Sequence, residues 1–166
     1  MMNRRSLLTA AFPILAGAAD LNGLPLARRI YLKANEIRRQ AGAPDLDWSD
    51  ALTECARRQS ERKRRLRFEG HVDPQFGPVA DRLDQAAIRW ARCAENLFEM
   101  QGYDDPVDFA LVFWWYSPGH QANMMNPAFR QTGVAVTADE KGRFYVTQIF
   151  VEPPGLPGAI TVSRGR

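Results

Sequence analysis

The sequence predicts an α+β fold, and two observations carry the prediction. Apolar residues recur at helical spacing in the first two-thirds of the chain, at Leu26, Ile30, Ala34 and Ile37 and again at Val107, Ala110, Leu111 and Trp114. The pattern then changes. Thr132–Thr137 (TGVAVT) and Phe144–Val151 (FYVTQIFV) are β-branched and aromatic, and the turn-rich Asp139-Glu140-Lys141-Gly142 between them predicts a β-hairpin. A chain of 166 residues is ordinarily one domain with a sizeable core. Its 45% hydrophobic and 25% charged residues exclude disordered and fibrous classes.

Residues 1–18 read as an export signal. Met1-Met2-Asn3-Arg4-Arg5 is a basic start, Leu7 to Leu15 is a short apolar run, and Ala16-Gly17-Ala18 offers small residues for cleavage before Ala19. The run is too short to span a bilayer and Pro13 interrupts it. Arg4-Arg5-Ser6-Leu7-Leu8 is similar to a twin-arginine address, with a general secretory signal as the alternative. No second apolar run follows, so the expected mature protein has no transmembrane segment and is periplasmic or extracellular. Loss of the two leader arginines leaves 20 basic against 19 acidic residues, so the overall charge says little about partners.

After a short N-terminal segment (19–29), the domain is expected over 30–152. Gly42 ends the first helix, and Ser49 caps a second running from Asp50 to about Arg65. Pro44, Leu46 and Trp48 form an ordered connection between them. The second helix carries Arg57, Arg58, Arg62, Lys63, Arg64, Arg65 and, just beyond, Arg67, relieved by Glu61. This cluster reads first as a solvated face, because Leu52, Cys55, Ala56, Gln59 and Leu66 form a stripe beneath it. An anionic headgroup or a polyanion is the alternative partner. No groove-reading or base-stacking motif accompanies it, so nucleic acid is not an expected partner. Gly70, Pro74, Gly77 and Pro78 place His71 in a loop, and a short helix is predicted over Val79–Ala87. Pro106 suits the first position of the next helix after a capping Asp105. Ser117-Pro118-Gly119 then stops that helix, and His120 follows directly on the break. Pro153-Pro154-Gly155 ends the second hairpin strand and leaves a C-terminal tail, 153–166.

His71 and His120 are the only histidines, and each follows a glycine. The acid most suited to join them is Glu95, within Ala94-Glu95-Asn96-Leu97. Two imidazoles and a carboxylate suit a zinc-like divalent ion with an open position. Two histidines fifty residues apart are more often unrelated, and a lone glutamate is more often solvent-facing or bonded to backbone. There is no G-x-S-x-G elbow for a serine nucleophile. Two cysteines in an exported chain, Cys55 and Cys93, predict a disulfide, worth roughly 4 kcal/mol in the chain-entropy model. Two buried thiols are the alternative. Trp114 belongs with the core-facing positions, which leaves Trp115 and Tyr116 as candidate cleft walls.

Taken together, these residues resemble the CAP superfamily (SCP, or cysteine-rich secretory protein, family) in its bacterial form. The resemblance starts at Asn35-Glu36-Ile37-Arg38, similar to the family's N-x-x-R, and runs through Gly42, Pro44, Leu46, Trp48, Leu52 and Ala56. It takes in His71, Arg82 and Glu95-Asn96-Leu97. Its most specific piece is Trp114-x-x-Ser117-Pro118-Gly119-His120, followed by Asn123, Asn126-Pro127, Phe129, Gly133-Val134 and Tyr145-x-Thr147-Gln148-x-Phe150. The resemblance implies a three-layer α-β-α sandwich around a central antiparallel sheet. It also implies a cleft holding His71, Glu95 and His120 as metal ligands, with Asn96 and Gln148 joining Trp115 and Tyr116 in its lining. Three departures stand out. No acid lies between Trp114 and Gly119, where eukaryotic relatives carry a second cleft glutamate; Gln121 replaces the usual arginine; and Ala135 replaces the third residue of a G-V-G.

The function implied is that of an exported, monomeric, non-enzymatic binding module. Its cleft would take a divalent cation, an apolar ligand such as lipid, or a peptide. A metal-dependent envelope hydrolase is the alternative, although the residues nominate no clear base or oxyanion stabiliser. An envelope interaction protein with a vestigial cleft is the third reading.

Overall fold

The computed structural model describes residues 21–155; the expected leader and most of the C-terminal tail lie outside the described residues. The element order is α1 (Leu26–Gln40), β1 (Asp47–Trp48), α2 (Asp50–Leu66), α3 (Val79–Gln85), β2 (Arg92–Gln101), α4 (Val107–Tyr116), α5 (Pro118–Met125), β3 (Gln131–Ala138) and β4 (Arg143–Glu152). The strands form one sheet in the order β1-β3-β4-β2. β4 pairs antiparallel with both β3 and β2. The two-residue β1 runs parallel to β3 through Asp47–Gln131 and Trp48–Thr132, so the sheet is mixed at that edge and antiparallel elsewhere.

Alternation along the central strands sorts side chains into two layers. On one face Val134, Val146 and Phe150 pack with Ile30, Ala34 and Ile37 of α1, Leu111, Trp114 and Trp115 of α4 and Met124 of α5. On the other, Ala135, Ile149 and Val151 pack with Leu52, Cys55 and Ala56 of α2 and Leu83 of α3. The result is helices, sheet, helices: a three-layer sandwich.

Local chemistry explains the element ends. Ser49 accepts a hydrogen bond from the Leu52 amide and caps α2. Asp105 Oδ1 accepts from the Val107 amide at 2.9 Å and starts α4. Asn35 clamps the chain after α1: its Nδ2 donates to the Leu46 carbonyl and its Oδ1 accepts from the Leu46 amide. Arg38, fully buried, donates to the carbonyls of Pro44, Met124, Asn126 and Phe129. Burial, then the nearby Arg130, lowers its pKa to about 10 against the opposing pull of Asp45. Gly133 lies under α2 so closely that a Cβ there would sit 2.2 Å from the Leu52 carbonyl carbon and the Thr53 nitrogen. Two residues on, the Ala135 methyl is accommodated in the α2-side core.

The expected Cys55–Cys93 disulfide is not formed; both side chains stand as thiols. Cys55 is buried in the apolar layer beneath α2, and Cys93 on β2 packs against the same cluster. Burial pushes the Cys55 thiol pKa up, so it acts as a small apolar side chain rather than a nucleophile. Among the described residues no helix is long and apolar enough to cross a membrane.

Candidate functional site

Ser117-Pro118-Gly119 does more than stop α4. Ser117 turns extended (φ −101°, ψ 113°), and Pro118 opens α5 at its first position, where the missing N–H costs nothing. His120 therefore stands in the first turn of a helix, not in the loop expected from sequence. Its Nδ1 lies 2.9 Å from Ser117 Oγ, and its carbonyl accepts from Asn96 Nδ2 at 3.1 Å. Asn96 Oδ1 accepts in turn from Asn123 Nδ2 at 2.9 Å, tying α5 to β2.

β2 is the other edge of the sheet, and alternation makes it a hinge line between the layers. Asn96 and Phe98 face α4 and α5, while Glu95 faces α2 and α3. Its outward carbonyls are capped: Leu97 accepts from Trp114 Nε1 at 2.9 Å and Glu95 from Asn123 Nδ2 at 3.5 Å. Glu95 Oε1 lies 3.1 Å from His71 Nδ1, and its Oε2 accepts from Arg82 Nη2 at 2.6 Å. The rings of His71 and His120 are 6.3 Å apart.

His71 and His120 line one opening and Glu95 lies buried against His71, so the three do not form a three-ligand set. Both Glu95 oxygens are engaged, one by a buried guanidinium. Among the described residues no three His, Cys, Asp or Glu side chains are placed to hold a metal ion. A divalent ion on this trio does not fit the arrangement, because Arg82 already neutralises the carboxylate that would have to ligate it.

The opening is a cleft of about 260 Å³ lined by His71, His120, Leu97, Phe98, Phe113, Glu99, Lys63 and Gly70. The aromatic beside His120 is Phe113, with ring centroids 5.6 Å apart; Phe113 in turn packs on Phe98 at 5.4 Å. Trp115, expected in the wall, is buried in the core with Trp114. Tyr116 is exposed and does not line the cleft. Gln148 is also corrected: it is fully buried in β4, where its Nε2 donates to Thr132 Oγ1 at 3.2 Å. Periodicity marked Val107, Ala110, Leu111 and Trp114 as core, and all four are buried, but a helix this apolar buries Trp115 as well.

Lys63 was absent from the sequence-derived site because it reads as one of many cations on α2. Its side chain is buried, donates to the carbonyls of Phe68 and Gly70, and pairs with Glu99 at 3.1 Å. The signal available in sequence is only its position on the Gln59 side of the helix, one turn on. His120 is shifted in acidity: burial, and secondarily the neighbouring His71, lowers its pKa below the ordinary imidazole value.

Residues 33–150 match the model of the CAP, or cysteine-rich secretory protein, family. The chain belongs to the CAP family. It is 29% identical over 125 residues to the uncharacterised membrane protein YlbC of Bacillus subtilis, covering 75% of this chain and 34% of that one. A crystal structure of an extracellular SCP-domain protein from Bacillus anthracis matches at 25% identity and a TM-score of 0.65, over 76% of this chain and 40% of that one. An outer surface protein of Borrelia burgdorferi shares the fold at a TM-score of 0.69 and 17% identity, over 77% and 92% of the two chains. The chain spans about a third of the length of YlbC.

Proposed function

We propose that this CAP domain is an exported, non-enzymatic binding module whose cleft takes a short peptide segment. The mixed lining carries the reading. Leu97, Phe98 and Phe113 offer an apolar wall for one side chain, while Lys63, Glu99 and two imidazoles supply donors and an acceptor around it. Catalysis is disfavoured on the same geometry, since Glu95 spends its oxygens on Arg82 and His71 and His120 Nδ1 is engaged with Ser117. Export rests on the basic start, the apolar run and Ala16-Gly17-Ala18. The extracellular SCP-domain protein of Bacillus anthracis, similar in sequence and fold, supports it.

Three experiments test this reading. Titration of the protein with short peptides bearing one aromatic residue should move the amide signals of Phe98, Phe113 and His120 saturably. Native mass spectrometry with and without a chelator should meanwhile show no stoichiometric metal. Zinc retained by the protein and lost in His120→Ala would replace the peptide with a cation. For export, N-terminal sequencing should find a start near Ala19; an intact Met1 on folded cytoplasmic protein would end that part of the proposal.

A further inference from the structure

A second and larger cavity, of about 490 Å³, lies between α2, the turn over 73–77 and α3. It is separate from the histidine cleft, and no residue lines both. Six arginines line it against one acid, Glu61. Five are paired: Arg64 with Glu61, Arg62 with Asp73, Arg82 with Glu95, and both Arg57 and Arg58 with Glu54. An excess of positive charge survives those pairings, because Glu54 serves both Arg57 and Arg58 and Arg65 has no ion pair among the described residues.

Two of the lining residues also carry buried polar atoms that the protein itself does not satisfy. Gln59 is 1% exposed, yet neither Nε2 nor Oε1 of its amide has a hydrogen-bond partner. Arg82 is 9% exposed, and only its Nη2 is used; Nε and Nη1 are buried without partners. Native folds rarely tolerate such orphans in clusters unless something else completes them.

The unmet set specifies a partner. Arg82 offers donors only, as does Gln59 Nε2, whereas Gln59 Oε1 needs a donor. A carboxylate brings acceptors alone. A phosphate with a hydroxyl, on the phosphorus or on an adjoining carbon, brings both. We propose that this cavity is an anion site that takes a hydroxyl-bearing phosphate group, seated on Arg82 and Gln59 with the α2 arginines around its mouth. Free hydrogen phosphate and a glycerol-phosphate lipid headgroup share that chemistry. The basic cluster on α2 then has a use beyond solvation, with the surplus charge drawing the anion to the cavity.

The test is an NMR titration of the full chain that follows the Arg82 Nε–H and the Gln59 side-chain amide. Inorganic phosphate, against chloride at equal ionic strength, should shift both saturably. Gln59→Leu should weaken binding roughly tenfold while leaving thermal stability equal or raised, since it removes two orphans and retains volume. If that variant does not fold, Gln59→Met serves the same end, and the wild-type shifts stand alone. Vesicles of phosphatidylglycerol, set against phosphatidylcholine, separate the sources. Retention on the former that soluble phosphate cannot displace marks a headgroup, and ready displacement marks a free phosphate. Shifts spread evenly along the exposed α2 arginines, an affinity unchanged by Gln59→Leu, or no response to either phosphate or vesicles would each overturn the proposal.

Discussion

Arg82 and Glu95 meet at 2.6 Å with both side chains withdrawn from water, at 8% and 1% exposure. Two buried charges contribute little net stability as a pair, because their desolvation offsets their attraction, but removing one strands the other. Glu95→Leu should therefore destabilise the domain by about 3–5 kcal/mol in urea denaturation. Adding Arg82→Met should recover most of that loss. Equal stability in the single and double variants would mean that the pair is not what keeps α3 on β2.

A different constraint operates where α2 crosses the sheet. A methyl at position 133 would meet main-chain atoms of Leu52 and Thr53 at 2.2 Å, and neither can swing aside as a side-chain tip would. Gly133→Ala is expected to cost at least about 3 kcal/mol, the upper range for overpacking, or to prevent folding. Ala135→Gly, on the same strand beneath the same helix, should cost about 1 kcal/mol. Thermal melts of the two variants side by side check the contrast.

Most of this fold was legible because its signals were local. The Ser49 cap, the α1 stripe from Ile30 to Ile37 and the turn at 139–142 each fix a short segment by chemistry within a few residues. β2 was not legible. Its centre is Glu95-Asn96, and polar residues mid-strand are stable there only because Arg82, His71, His120 and Asn123 arrive from distant sequence to satisfy them. α5 was missed for another reason: Pro118 ends one helix and opens the next, and only the first role was expected. The grouping of His71, Glu95 and His120 came from family resemblance, not spacing. What resemblance did not convey was that Arg82 occupies the second carboxylate oxygen. Trp115 was expected in the cleft wall and is buried instead, because a helix apolar nearly all round carries no mark of which side is wet.

Arg38 joins four carbonyls from two separate stretches, Pro44 after α1 and Met124, Asn126 and Phe129 around the end of α5. Arg38→Lys keeps the charge but replaces a planar fork of five donors by three on a single nitrogen. At least one buried carbonyl then loses its partner, at about 1–3 kcal/mol. Arg38→Met takes a donor from all four, leaving the Asn126 carbonyl only the Phe129 amide, and should be the more damaging of the two. Hydrogen exchange should report faster opening at both 44–46 and 124–129, since one side chain holds both. Protection lost at only one of them would show that the stretches are held independently.

Acid should weaken the fold through His120. This imidazole titrates below the ordinary value of 6.5, chiefly because burial disfavours its charged form and secondarily because His71 is its neighbour. With the folded pKa depressed, the unfolded chain binds the proton more readily than the folded one. Stability from this group is therefore complete above about pH 6.5 and is lost as pH falls through the folded value. His120→Asn should flatten that acid-side decline in urea midpoints measured from neutral to mildly acidic pH. His71→Ala should raise the His120 midpoint, followed by its ring-proton shifts, without restoring it fully, because burial by Phe113 and α5 remains when the neighbouring imidazole is gone. Full restoration by His71→Ala would assign the shift to charge rather than burial. No movement at all would place the two rings out of electrostatic reach, contrary to their 6.3 Å separation.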